Sequence, residues 1–156
     1  GVADRFIRTK DEKADFEKQM TQIFIEAEAA MLLENCAAGY IKNNPIDFLH
    51  NDNYTEIPST KIIEAILKAY KNGFSKEHLA YSFIYTLAKT IIKMAKAHHI
   101  KIVACSGGVF QNSLIINILT QMSKKEKINF KFNRKLSAND ENISFGQSMY
   151  YQHIKN

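Results

Sequence analysis

The chain has 156 residues, 46% of them hydrophobic, and a formal net charge of +5. This length can bury one substantial core, so we expect a single domain over residues 1–156. No stretch reaches the roughly 20 uninterrupted apolar residues that span a bilayer, and residues 1–16 lack a signal-peptide core, which predicts a cytoplasmic protein without a membrane partner. The lysines are dispersed and only three arginines occur, which disfavours nucleic-acid binding.

Helical spacing of apolar residues dominates the first part of the sequence. We predict a long helix from about Asp11 to Ala38, ended by Gly39 in a left-handed conformation. Asparagine, aspartate and both prolines of the chain then concentrate in residues 40–59. This composition indicates a surface connection, which could contain one or two short strands.

Two further helices are predicted before the pattern changes. Ser59 or Thr60 is expected to cap the first of them, and Gly73 to end it. Ser75 is expected to cap the second, which continues to about His98. The first hundred residues are therefore predicted to be mostly helical.

A different pattern begins after residue 99. The apolar run from Ile100 to Cys105 is rich in β-branched residues and predicts a strand. Helical spacing returns from Asn112 to Lys124, and alternation from Ile128 to Phe132 predicts a second strand. These three elements predict a βαβ unit with parallel strands, followed by a terminal helix from Ser144 to His153.

The first strand is joined to its helix by the segment Ser106-Gly107-Gly108-Val109-Phe110-Gln111-Asn112. In open α/β sheets, ligands bind beyond the carboxyl ends of strands, where glycines let a phosphate or ribose approach the N–H groups of a helix start. A tight turn would need the same glycines, so both interpretations stay open. The chain contains neither GxxxxGK[ST] nor GxGxxG, so it lacks two common phosphate-binding motifs.

Side chains whose oxygen atoms could bind a metal ion or accept a hydrogen bond cluster in residues 137–144. Asp140 could bind a divalent metal or a ribose hydroxyl, whereas Asn139, Asp140 or Asn142 could simply cap the terminal helix. Cys105 could be a nucleophile activated by a helix N-terminus, but the position is more typical of a buried strand cysteine.

Four short motifs occur along the chain in the same order as in one protein family. VACSGGVFQN, which ends at Asn112, is followed by SANDENISFGQ, which begins at Ser137; the two are similar to SGGVFQN and PNDGGISLGQ of that family. Upstream, IEAEAAM resembles its YEGQAAM, and AYSFIYTLA resembles its FHxTLA helix. Over residues 23–152 the chain thus resembles the HypF family of hydrogenase-maturation carbamoyltransferases.

The resemblance implies half of an actin-like, ribonuclease-H-like (ASKHA) fold, which is α/β and helix-rich with a small sheet, and which is shared with TsaD. It implies a C-terminal fragment of an enzyme that makes carbamoyl adenylate from carbamoyl phosphate and ATP. That enzyme transfers the carbamoyl group to a HypE cysteine for the cyanide ligand of NiFe hydrogenase.

The resemblance also implies roles for residues. Asp140 would bind a divalent metal, either Mg²⁺ or Zn/Fe. Five residues would lie near the nucleotide: Gly107, Gly108, Asn112, Glu26 and Glu28.

Several motif positions depart from the family. The HHHAH metal-binding motif is absent, as are the acylphosphatase, zinc-finger and YrdC-like segments of the full protein. Within the motifs, Ala27 replaces Gly, Glu28 replaces Gln, Ile84 replaces His, and Glu141-Asn142 replaces Gly-Gly. A fragment of this kind is expected to be inactive alone. The departures also support a second hypothesis, a non-catalytic scaffold or partner-binding domain with a degenerate nucleotide site.

Overall fold

The chain folds into helices around one small sheet, as a computed structural model shows. No helix among the residues that it describes is both long and apolar enough to cross a bilayer. The described residues are 28–40, 44–50, 57–133, 135–136, 138 and 142–155. The elements are α1 (28–38, within the described part), α2 (Ser59–Lys71), α3 (Lys76–Ala97), β1 (Ile102–Cys105), α4 (Ser113–Glu126), β2 (Asn129–Phe132) and α5 (Ile143–Lys155).

The sheet consists of β1 and β2, which pair in parallel with Ile102 opposite Asn129 and Cys105 opposite Phe132. Helix α4 connects them, which confirms the predicted βαβ unit. Strand β1 is shorter than predicted because the N–H of Ile100 donates to the carbonyl of Ala95 (2.7 Å) and so belongs to the end of α3. Since the strands run in the same direction, both carboxyl ends meet at one edge.

The hydrophobic core lies where α3 and α4 pack together. The buried side chains of α3 recur at intervals of three or four residues, which places them on one face of the helix. Ile84, which stands where the family has His, belongs to this face and is 3% exposed, so its side chain serves as core packing. The buried members of the core are Ala37, Ala80, Ile84, Ala88, Ile92, Ala95, Ile115, Ile118, Leu119 and Ile128.

Segment 44–50 is fastened to α3 by hydroxyl groups one helical turn apart. The N–H of Ile46 donates to Ser82 Oγ (3.0 Å), and the N–H of Phe48 donates to Thr86 Oγ1 (3.1 Å). Ser82 and Thr86 are fully buried, so these bonds satisfy polar groups that water does not reach. No strand occurs in residues 44–50 or 57–58, and the rest of the 40–59 connection lies outside the described residues.

An ion pair secures the same segment. Asp47 Oδ2 lies 2.8 Å from Lys89 Nζ and 3.7 Å from Lys93 Nζ, and the Asp47 side chain is 7% exposed. Burial by itself would raise the pKa of Asp47, but the hydrogen bonds from Lys89 and the Leu49 backbone, with the two positive charges, hold this pKa below its usual value. The carboxylate therefore stays charged in the folded protein at neutral pH.

Two predicted helix boundaries are confirmed. Gly73 follows α2 with φ +85°, a conformation that costs glycine little and other residues more. Ser75 caps α3, because its Oγ accepts from the N–H of His78 (3.3 Å). Helix α3 then ends at Ala97, close to the predicted limit at His98.

Two other predicted boundaries are wrong. Neither Ser59 nor Thr60 caps α2: Pro58 occupies the cap position, no side chain makes a capping hydrogen bond, and Ser59 is already helical. Gly39 ends α1 without a left-handed conformation, since its φ is not positive. Instead, the last turn tightens, and the N–H of Gly39 donates to the carbonyl of Cys36 (3.2 Å).

Candidate functional site

The glycine loop leaves β1 through a backbone conformation that favours glycine. Gly107 has φ +100° and ψ 162°, and a Cβ built at this position would meet no atom within 4 Å. The constraint is therefore conformational rather than steric. A short 3-10 turn, Gly108–Gln111, follows before α4 begins.

A backbone hydrogen bond joins the two motif loops. The N–H of Gly107 donates to the carbonyl of Ala138, with the two atoms 2.5 Å apart. Ala138 is 8% exposed and belongs to the second loop, which precedes α5. Two segments separated by about 30 residues in sequence are thus held against each other at the carboxyl edge of the sheet.

A cavity of about 500 Å³ opens between these loops. This volume falls within the roughly 300–1,000 Å³ that is typical of small-molecule sites. Ser106 and Asn133, the residues that directly follow β1 and β2, both contribute to its wall, so it lies where open α/β sheets bind ligands. The lining residues are Ser106, Gly107, Asn133, Leu136, Asn142, Ile143, Phe145 and Gly146.

Asn142 places an unused hydrogen-bond donor at the cavity wall. Its Nδ2 atom is buried and has no hydrogen-bond partner among the described residues. A buried donor without an acceptor costs about 1–3 kcal/mol. An oxygen atom of a bound ligand could accept this bond and recover the loss once the side chain turns its covered Nδ2 towards the cavity.

The first N–H groups of α4 are already paired with side chains of the chain itself. Asn112 Oδ1 accepts from the N–H of Ile115 (3.0 Å) as the helix cap. Glu34 Oε1 of α1 accepts from the N–H (2.8 Å) and Oγ (2.7 Å) of Ser113, and at longer range from the N–H of Leu114 (3.4 Å). A carboxylate of the chain itself therefore occupies the start of α4, where the helix dipole favours negative charge.

The remaining backbone N–H donors of the loop lie in the 3-10 turn that precedes α4. The N–H of Phe110 donates to the carbonyl of Gly107 (3.0 Å) within the 3-10 turn. Across the described part of the chain, no acceptor is paired with the N–H groups of Gly108 and Val109, and both residues are exposed. These two groups are the backbone donors that this loop can offer to an anion.

The residues predicted for the nucleotide site are only partly brought together. Gly107 lines the cavity, and Gly108 follows it at the surface. Asn112 uses its amide oxygen as a helix cap, which leaves only its Nδ2 for a ligand. Glu28 is exposed in the first described turn of α1, while Glu26 lies outside the described residues.

The proposed metal site has no support from the described residues. Asp140 lies outside them, and no group of three or more His, Cys, Asp or Glu side chains within them could hold a metal ion. Cys105 is 4% exposed, and burial raises the pKa of its thiol. This confirms the interpretation of Cys105 as a buried strand cysteine.

Sequence reasoning missed two residues of this region. No local pattern singled out Glu34, although its carboxylate caps α4 across the structure. Sequence reasoning considered Asn142 only as a helix cap and as a departure from the family, although its amide lines the cavity. The signal for Asn142 was its position beside Asp140 in the oxygen-rich loop, whereas no local pattern marks a contact over 79 residues such as that of Glu34.

Two solved structures have a similar fold. HypF from T. kodakarensis superposes with a TM-score of 0.64 at 24% identity, covering 82% of this chain and 17% of that one. A full-length HypF in a phosphate- and nucleotide-bound form gives a TM-score of 0.68 at 25% identity, covering 81% and 17%. The chain thus spans about a sixth of the length of these proteins, and no curated protein sequence matches it.

The structural likeness confirms the predicted fold class, an α/β domain rich in helix with a small parallel sheet. The family model described as "Carbamoyltransferase, Kae1-like Domain, second subdomain" matches residues 8–147, which is most of the chain. The chain therefore belongs to the HypF-type carbamoyltransferase family, as the second subdomain of its Kae1-like domain.

Proposed function

We propose that this chain provides one wall of the nucleotide site in a carbamoyltransferase that forms carbamoyl adenylate from carbamoyl phosphate and ATP. The carbamoyl group is then transferred to a cysteine thiol of HypE, for synthesis of the cyanide ligand of NiFe hydrogenase. The nucleotide-bound form of a HypF relative supports the choice of ligand. The observation that carries the proposal is the cavity in which both motif loops meet.

The loop geometry suits the phosphate of an adenylate. The N–H groups of Gly108 and Val109 donate to phosphate oxygens, and the side chain of Asn142 donates from the opposite loop. During transfer, the thiol loses its proton, sulfur bonds to the carbamoyl carbon, and the bond from that carbon to the phosphate oxygen breaks. AMP leaves with additional negative charge, which fixed donors stabilise more than they stabilise the bound reactant.

The other roles implied by the family resemblance remain part of the proposal. Glu26 and Glu28 contribute contacts near the ribose or base from the N-terminal side of α1. Asp140 binds a divalent cation in the loop that also carries Asn142, and such a cation would neutralise charge on the phosphates.

Calorimetric titration with a non-hydrolysable ATP analogue and Mg²⁺ tests the proposal. We expect saturable binding by the wild-type chain and roughly tenfold weaker binding by Asn142→Ala, which removes the unused donor. Asn117→Ala is the matched control, because Asn117 is exposed on α4 and does not line the cavity. Equal affinities for all three proteins would contradict the assignment of Asn142.

Asn112 needs a different substitution, because alanine would remove the cap of α4 and cost about 1 kcal/mol of stability. Serine caps helices as well as asparagine does but lacks the amide donor. If Asn112 also contacts the nucleotide, Asn112→Ser weakens binding without lowering the unfolding free energy. Unchanged affinity would confine Asn112 to its capping role.

A scaffold function is the second candidate, and the surface of α5 favours it. Six large apolar or aromatic side chains of this helix are more than half exposed: Ile143, Phe145, Met149, Tyr150, Tyr151 and Ile154. Exposed apolar surface of this kind is typical of an interface. A well-folded chain that binds no nucleotide but binds a partner through α5 would support the scaffold over the enzyme.

A further inference from the structure

Glu34 links the helix that carries Glu28 to the helix that follows the glycine loop. Its Oε1 atom lies 2.8 Å from the backbone nitrogen of Ser113 and 2.7 Å from Ser113 Oγ. Ser113 directly follows Asn112, the last residue of the family motif in this loop. The contact therefore acts at the point where the loop becomes α4.

The position of this carboxylate is fixed by core packing. Ala37, three residues after Glu34 on α1, is fully buried in the core between α3 and α4. Residues three apart lie on the same side of a helix, so burying Ala37 turns Glu34 towards α4. Leu33 and Cys36 pack against the same core and oppose rotation of α1 about its axis.

The bond is also electrostatically favourable. Glu34 is half-buried, and it meets N–H groups at the N-terminus of α4, where the helix dipole carries partial positive charge. Hydrogen bonds to a carboxylate are shorter and stronger than those between neutral groups. Asn112 caps the next free donor, the N–H of Ile115, so the two side chains together fix the first turn of α4.

We propose that Glu34 is a positioning residue, which holds the Gly107–Asn112 loop at a fixed distance from α1 and thereby sets the nucleotide affinity of the site. This inference rests on the proposed function, since it presumes that the loop binds nucleotide. It adds a residue outside the loop that does not touch the ligand. It also assigns the phosphate to the N–H groups of Gly108 and Val109, because Glu34 already occupies the start of α4.

The test compares Glu34→Ala and Glu34→Gln with the wild type in the full chain. Hydrogen exchange at Ser113 and Leu114 measures how well Glu34 protects these two amides, and calorimetry with the ATP analogue measures affinity. We expect Glu34→Ala to accelerate exchange at both amides at least about tenfold and to weaken binding about tenfold. Glu34→Gln keeps an acceptor oxygen, so it should restore most of both properties.

A matched control separates positioning from general loss of stability. Ile62→Val shortens a buried side chain of α2, a helix that packs mainly against α3, and lowers stability without changing any residue of the cavity or of the Glu34 contact, so its affinity should equal that of the wild type. With wild-type binding intact, unchanged exchange or unchanged affinity in Glu34→Ala would overturn the role of Glu34. If instead the wild type binds no analogue while exchange still rises in Glu34→Ala, the proposed function fails and the structural tether stands.

Discussion

Replacing Thr86 by valine should destabilise the protein by removing a hydroxyl that contacts two backbone groups of segment 44–50, the N–H of Phe48 and the carbonyl of Ile46 (3.3 Å). Thr86 is fully buried, and its Oγ1 accepts from the N–H of Phe48 (3.1 Å) while donating to the carbonyl of Ser82 (2.8 Å). Valine has nearly the same shape and a similar helix propensity, so packing and propensity change little. The variant leaves the Phe48 N–H in segment 44–50 without its acceptor.

The expected magnitude follows from that lost acceptor. A buried N–H group left unpaired costs about 1–3 kcal/mol, and Phe48 is only half-buried, so we expect about 1–2 kcal/mol. For a chain of this size, each kcal/mol lowers Tm by about 2–4 °C. Urea unfolding monitored by circular dichroism measures the change in unfolding free energy.

Thr90→Val provides the control on the same helix, one turn later. Among the described residues, Thr90 Oγ1 has one hydrogen-bond partner, the carbonyl of Thr86 (2.8 Å), which keeps its helical partner after the substitution. This variant should change the unfolding free energy by less than about 0.5 kcal/mol. If both valine variants were equally stable, the hydroxyl of Thr86 would not be what anchors segment 44–50.

Three further predictions concern the loop, the ion pair and the cysteines. Gly107→Ala should lower the unfolding free energy by about 1–3 kcal/mol through backbone strain alone. Gly108 does not have a positive φ, and a Cβ added there meets no atom within 4 Å, so Gly108→Ala should leave urea unfolding unchanged. Because the folded pKa of Asp47 is lowered, Asp47→Asn should destabilise the protein above about pH 4. The difference in unfolding free energy from the wild type should vanish as the pH falls further, and a difference that is the same at every pH would contradict this. Iodoacetamide at neutral pH should alkylate the half-buried Cys36 before the buried Cys105, whose thiol has a raised pKa. Peptide mass spectrometry measures the order of alkylation, and the opposite order would contradict this prediction.

Local patterns in the sequence were enough to predict most of the secondary structure. Helices α2 to α5 and both strands occur close to their predicted limits, because the 3.6-residue and two-residue periods of apolar side chains reflect which face is buried. Gly73 and Ser75 were predictable for the same reason, since each acts within one turn of its own helix. The motif order alone also indicated the family, which the match over residues 8–147 confirms.

Contacts between distant segments were decided only by the tertiary structure. No local pattern shows that Glu34 fills the start of α4, because this depends on how Ala37 packs in the core. The same holds for Asn142, whose amide becomes an unused donor only when its loop meets Gly107. The sequence by itself determined which loops carry polar groups and glycines. Packing determined which hydrogen-bond donors of these loops are occupied and which remain for a ligand, because a hydrogen bond depends on distance in space and not on separation along the chain.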